Sequence, residues 1–182
     1  MFGDYEQKFP QARALYMYMY LHPGKKLLFM GSEFGQLREW TEEQQQDFDV
    51  LKYPMHDSFR AFMAELCKIY QNEPALYGGD YLPDGFRWID CHQEEKCIYA
   101  FERHYMGESI IALFHFGDAG TETFKFALPY KNITPMLHTD WEEWSGTIKK
   151  DTDTINGSEL LNAFEYEVTL PPFCGIIFKA ER

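Results

Sequence analysis

The stretch GSEFGQLREW, residues 31–40, sets a carboxylate, an amide, a guanidinium and an indole side by side. Glu33, Gln36 and Arg38 are groups that exchange hydrogen bonds with hydroxyls, and Trp40 offers a flat apolar face. Such a set suits holding a polar ligand. General acid–base chemistry by carboxylates needs a pair with divided roles, so Glu33 is a candidate acid only with a second carboxylate and otherwise a hydrogen-bonding support of the loop.

Other reactive types are scattered. Asp90-Cys91-His92 offers a thiol beside a base. Neighbours on a strand point to opposite faces, so Cys91 and His92 are expected to face apart. Trp88, Trp141 and Trp144 invite a stacking surface, but core and turn packing is the commoner fate of such residues. The six histidines form no H-x-x-x-H pair, and the four cysteines form no C-x-x-C pair. No metal or cofactor is expected.

The elements that position these groups change type along the chain. Residues 7–21 form a helical pattern, with Ala12, Leu15, Tyr16 and Met19 at helical spacing and further apolar residues on the other faces. Pro23-Gly24 ends it. Residues 26–30 are a short apolar run, expected as a strand buried on both faces. The TEEQQQD stretch suits an exposed helical turn. A second helix is expected over residues 57–71, capped by Asp57 or Ser58 and carrying Phe59, Phe62, Met63, Leu66, Ile69 and Tyr70 as its stripe.

Residues 72–85 are dense in Pro and Gly and mark a boundary. About seven short runs rich in β-branched and aromatic residues follow. Phe164, Tyr166, Val168 and Leu170 alternate with polar residues, as in a half-buried antiparallel strand. The expected fold is α+β, an incomplete α/β unit followed by an antiparallel β-sandwich.

Composition narrows the function classes. Hydrophobic residues make up 45% of the 182, enough for a packed core. The formal net charge of -12 repels phosphate backbones and anionic lipid, so nucleic acid and membrane are poor partners. Neutral sugars are not repelled. The N-terminus lacks the basic and apolar regions of a signal peptide, and residues 14–21 are too short to span a bilayer. Reduced thiols in a cytoplasmic protein are expected. The sequons at Asn132 and Asn156 are then chance matches.

HPGKKLLFMGSEFGQLREW (residues 22–40), LKYPMHDSFRAFMAELCKIYQNEPALY and GFRWIDCHQEEKCIYAFER together resemble the C-terminal part of bacterial 1,4-α-glucan (glycogen) branching enzymes, of the α-amylase superfamily. The resemblance runs from about residue 3 to 103, and more loosely to 179. It implies that residues 1–75 end a (β/α)8 barrel, 76–85 are a linker, and 86–182 form the C-terminal β-sandwich. Residues 7–21 would be the seventh barrel helix, 26–30 the eighth strand and 57–71 the eighth helix.

Barrel sites lie at the C-terminal ends of strands, so residues 32–40 would sit on the catalytic face. The family's reaction moves α-1,4-glucan segments to α-1,6 positions by a retaining route, which needs two carboxylates about 5–5.5 Å apart. Those residues follow earlier strands, so no catalytic residue is assigned here. Glu33, Gln36, Arg38 and Trp40 become candidate α-glucan contacts. Loop-stabilising bonds remain the alternative for Gln36 and Arg38, and a plug between barrel and sandwich for Trp40. The implied partners are α-glucan and the remainder of the barrel. The unpaired edges of a lone strand at 26–30 would also favour self-association. The chain departs from the family at Leu37, where Trp is common, and at LFHFGDAG.

Overall fold

The computed structural model describes residues 1–181. Helix α1 spans Lys8–Leu21 and helix α2 spans Pro54–Asn72. Helix α2 starts earlier than expected, because Pro54 takes the first helical position, where a missing N–H costs nothing. Neither Asp57 nor Ser58 caps it. Asp57 instead pairs with Arg60, and Ser58 donates to the Met55 carbonyl. Both helices bury apolar faces against each other and against the sheet. Leu15, although at helical spacing, remains exposed.

The strand expected at 26–30 is not formed. The segment has no regular structure and pairs with no described strand, and Leu27, Phe29 and Met30 are exposed. An apolar run states that burial is wanted, not what will supply it. A lone strand has nowhere to place its N–H and C=O ladder. The expected helical turn at TEEQQQD is a plain turn, and a short 3-10 helix, Phe48–Lys52, follows.

Among the described residues nine strands follow: β1 Phe86–Gln93, β2 Ile98–Tyr105, β3 Glu108–His115, β4 Glu122–Leu128, β5 Asn132–His138, β6 Ile155–Asn156, β7 Ser158–Glu159, β8 Phe164–Leu170 and β9 Cys174–Glu181. The two-residue strands β6 and β7 carry too little pattern to be read in advance. All pairings between these strands are antiparallel. One sheet runs β1-β2-β3-β9-β5-β6 and the other β4-β8-β7.

The larger sheet is covered on both faces. Ile98, Ala100, Ile111, Leu113, Ile176 and Phe178 meet Phe124, Phe126, Tyr166 and Val168 of the smaller sheet. On the opposite face Phe101, Ile110, Ala112, Phe114 and Ile177 meet Met17, Leu21, Phe62 and Leu66 of the helices. Central strand β3 is therefore buried almost throughout, whereas β4 and β8 alternate.

Two buried arginines join the layers. Arg13 of α1 donates from Nε to the Thr139 carbonyl at 2.6 Å and from Nη1 to that of Trp144 at 2.9 Å. Burial pulls its guanidinium down to about 10, against the attraction of Asp140. Arg103 of β2 donates to the Leu21 and Gly85 carbonyls and pairs with Asp80.

Candidate functional site

The loop after residue 30 is shaped by its glycines. Gly31 and Gly35 hold φ of 88° and 67°, in the left-handed region that glycine enters without strain. Between them, Ser32–Phe34 forms a 3-10 turn. A Cβ on Gly31 would lie 2.8 Å from the Gln36 Cβ, so the loop closes on itself only with glycine there. Phe34 is buried, packs on Phe48, and presents its carbonyl to His56 Nδ1 of α2 at 2.9 Å. This contact anchors the loop to the helix.

The four candidate residues occupy this loop but do different things. Gln36 accepts from the Asp47 N–H at 2.8 Å and donates to the Arg38 carbonyl at 2.9 Å. Arg38 donates to Gln44 Oε1 at 2.7 Å and to the Gln45 carbonyl. These side chains fold residues 41–47 back onto the loop. Trp40 is 40% exposed and meets Phe29 edge-on, ring centres 5.4 Å apart. Glu33 is half-buried and makes no side-chain hydrogen bond or ion pair with another described residue. Two depressions flank Leu37, of about 480 and 200 Å³. The larger is walled mainly by Tyr5, Val50, Tyr53 and Met55.

The remaining candidates separate clearly. Trp141 and Trp144 are core, while Trp88 is 39% exposed. The expectation that Cys91 and His92 face apart fails. Strand β1 has register shifts between Trp88 and Asp90 and again before Gln93, so its alternation breaks, and Cys91 Sγ lies 3.9 Å from His92 Nε2. That distance is long for proton transfer. Asp90 spends its oxygens on the His92 N–H and on Gln93. Among the described residues no group of three or more metal-ligating side chains gathers.

One polar cluster escaped the sequence. Glu102 lies inside the apolar run of β2, directly across from Arg87 in the ladder. Its Oε2 accepts from Arg87 Nε at 3.0 Å and Nη2 at 2.5 Å, and its Oε1 from the Tyr130 hydroxyl at 2.5 Å. Burial pushes the carboxyl up, but bonds from Tyr130, Arg87 and Ser109 more than offset it and hold the group below its ordinary value. Tyr130 Oη lies 2.7 Å from Ser109 Oγ, which lies 2.9 Å from His104 Nδ1. A charge in a buried strand register was the signal available. Its partners at 109 and 130 carry no local pattern.

The two-sheet sandwich with helices on one face defines the class. A sequence model of the family described as alpha amylase, C-terminal all-beta domain, matches residues 88–181, and the chain belongs to that family. It is 38% identical over 97% of its length to a 1,4-alpha-glucan branching enzyme, GlgB, of Halothermothrix orenii. It is 37% identical over 98% to the enzyme of the same name from Aquifex aeolicus. It spans 29% of each of these relatives. The fold matches an alpha-amylase of Geobacillus thermoleovorans with a TM-score of 0.67 at 13% identity, covering 96% of this chain and 34% of that one. A debranching enzyme of Nostoc punctiforme matches at 0.65 and 16%, covering 93% and 30%.

Among the described residues no helix is long and apolar enough to cross a membrane.

Proposed function

We propose that this chain is the C-terminal region of a 1,4-α-glucan branching enzyme. The observation that carries the reading is the reach of the similarity. The branching enzymes match 97–98% of the chain, so the likeness includes both helices and the loop at 32–40, outside residues 88–181. In this reading residues 1–75 close a (β/α)8 barrel, 76–85 link it, and 86–182 are the sandwich. Residues 26–30 complete the barrel as its eighth strand once neighbouring strands supply a ladder. Exposed Leu27, Phe29 and Met30 are the side chains such neighbours would cover.

The loop then lies at the C-terminal end of that strand, where barrel chemistry takes place. Gln36 and Arg38 fix its shape, and Trp40 offers a face to an α-glucan. Glu33 supports the loop and is not the acid. The two carboxylates of a retaining transfer come from earlier strands of the parent enzyme.

Two measurements test this. The chain alone, incubated with amylose, is expected to leave iodine colour unchanged and to form no α-1,6 linkages. Turnover by pure protein would sink the assignment of the carboxylates elsewhere. A chimera carrying this chain in place of the matching 29% of the Halothermothrix orenii enzyme is expected to branch amylose. A folded but inactive chimera would count against the family role.

The exposure of Trp40 favours a second reading, a module that holds glucan without cutting it. Retarded migration in glycogen-containing gels, lost in Trp40→Ala, would support it. Unretarded migration of the parent chain would end it.

A further inference from the structure

The cluster around Glu102 borders an open cleft of about 460 Å³, within the range of small-ligand sites. The 3-10 turn Pro83–Gly85, strands β1 and β2, and the turn at Pro129 meet there. The loop at 32–40 contributes no residue to its lining.

The hydrogen bonds of the cluster have a fixed direction. Tyr130 gives its only proton to Glu102, which is ionised and can only accept. Ser109 therefore donates its hydroxyl proton inward, to Tyr130 or to Glu102, and away from His104. The contact between Ser109 Oγ and His104 Nδ1 then requires Nδ1 to be the donor. Neutral His104 is thereby held as the Nδ1–H tautomer, which leaves Nε2 as a hydrogen-bond acceptor on a residue that lines the cleft.

Arg87 supplies the complementary donor. Its Nε and Nη2 are committed to Glu102, while Nη1 has no hydrogen-bond partner among the described residues, and the side chain is 58% exposed. Pro83, Phe86 and Pro129 add apolar walls. The charge balance disfavours an anion. Among the described lining residues Asp84 and Glu102 set two carboxylates against one guanidinium, inside a chain already at -12.

An uncharged ligand that both donates and accepts, and that has C–H surface to lay on proline and phenylalanine, fits these terms. We propose that this cleft is a second carbohydrate site, which holds glucosyl units of an α-glucan away from the loop at 32–40. The inference rests on the branching-enzyme reading for the identity of the sugar. The relay serves the site by holding His104 in one tautomer and Arg87 in one place before the ligand arrives, which lowers the ordering cost of binding.

The test uses the 182-residue chain, with maltoheptaose as probe. Titration followed by amide NMR shifts is expected to move resonances of residues 84–87, 102–104 and 129–130. His104→Ala removes the acceptor, and Asp84→Trp fills the cleft from an exposed position without touching the relay. Each is expected to weaken binding at that site at least about fivefold, the scale of one hydrogen bond or a blocked contact. If His104→Ala also lowers the melting temperature, Asp84→Trp decides. Shifts confined to residues 32–40, or parent-like binding by Asp84→Trp, would overturn the proposal. So would saturation of the cleft by inorganic phosphate but not by maltoheptaose. The chimera separates the two readings. An active chimera with a sugar-blind cleft removes only this inference, and an inactive chimera with a sugar-filled cleft removes only the branching role.

Discussion

A histidine that accepts a backbone N–H on Nδ1 must be neutral. His138 does so from Asp140 at 2.9 Å, and it is buried. Burial lowers it from 6.5 to about 4, with Arg13 helping and Asp140 opposing. The sign follows directly. Below pH 6.5 the unfolded chain takes up a proton that the folded one refuses, so stability falls until the folded group also titrates near pH 4. The expected loss across that window is about 3 kcal/mol. Urea titrations at stepped pH would show it, and His138→Asn would flatten the slope. Glu102 acts lower. Its folded value lies below 4.5, so its stabilising contribution is full above 4.5 and disappears as pH falls through the lower folded value. Met106 is a residue of another kind. With Gly107 it forms the two-residue turn between β2 and β3, and both hold positive φ, the signature of a type I′ hairpin. Met106→Asn is expected to stabilise the fold by about 1 kcal/mol, read as a higher urea midpoint.

At the scale of elements, Arg103 ties the end of α1, residues 80–85 and β2 together through two carbonyls and Asp80. Lysine cannot reproduce that fork, so Arg103→Lys is expected to cost about 3 kcal/mol in a denaturant titration. Neither Arg103 nor Arg13 stands out in the sequence, because each sits in an apolar pattern whose periodicity is complete without it. Elements with several turns or repeats of their own period were legible, including both helices and the alternating strands β4 and β8. The loop at 32–40 was legible by composition and glycine placement, but not the internal use of Gln36 and Arg38. Residues 26–30 misled because hydrophobicity carries no information about the partner. Cys91 and His92 misled because a bulge cancels the alternation on which the argument stood. In the Glu102 cluster a single hydrogen bond joins residues 28 positions apart, a distance that only the fold spans.

Across the whole molecule, Phe2, Leu27, Phe29, Met30, Leu37 and Trp40 are exposed apolar side chains of the N-terminal part. An isolated chain with that surface is expected to self-associate in sedimentation velocity as concentration rises. The apolar side chains, not a free strand edge, would drive it. The double change Leu27→Lys with Phe29→Lys should reduce it, and monomeric behaviour of the parent at all concentrations would refute it.

The larger sheet has a further consequence, because it is apolar on the helix side as well as inside the sandwich. A sandwich cut out at residue 86 would display Phe101, Ile110 and Phe114 to water. Excision for display, crystallisation or fusion should therefore yield inclusion bodies. A protease nick within 76–85 should instead leave two fragments that travel together through a sizing column.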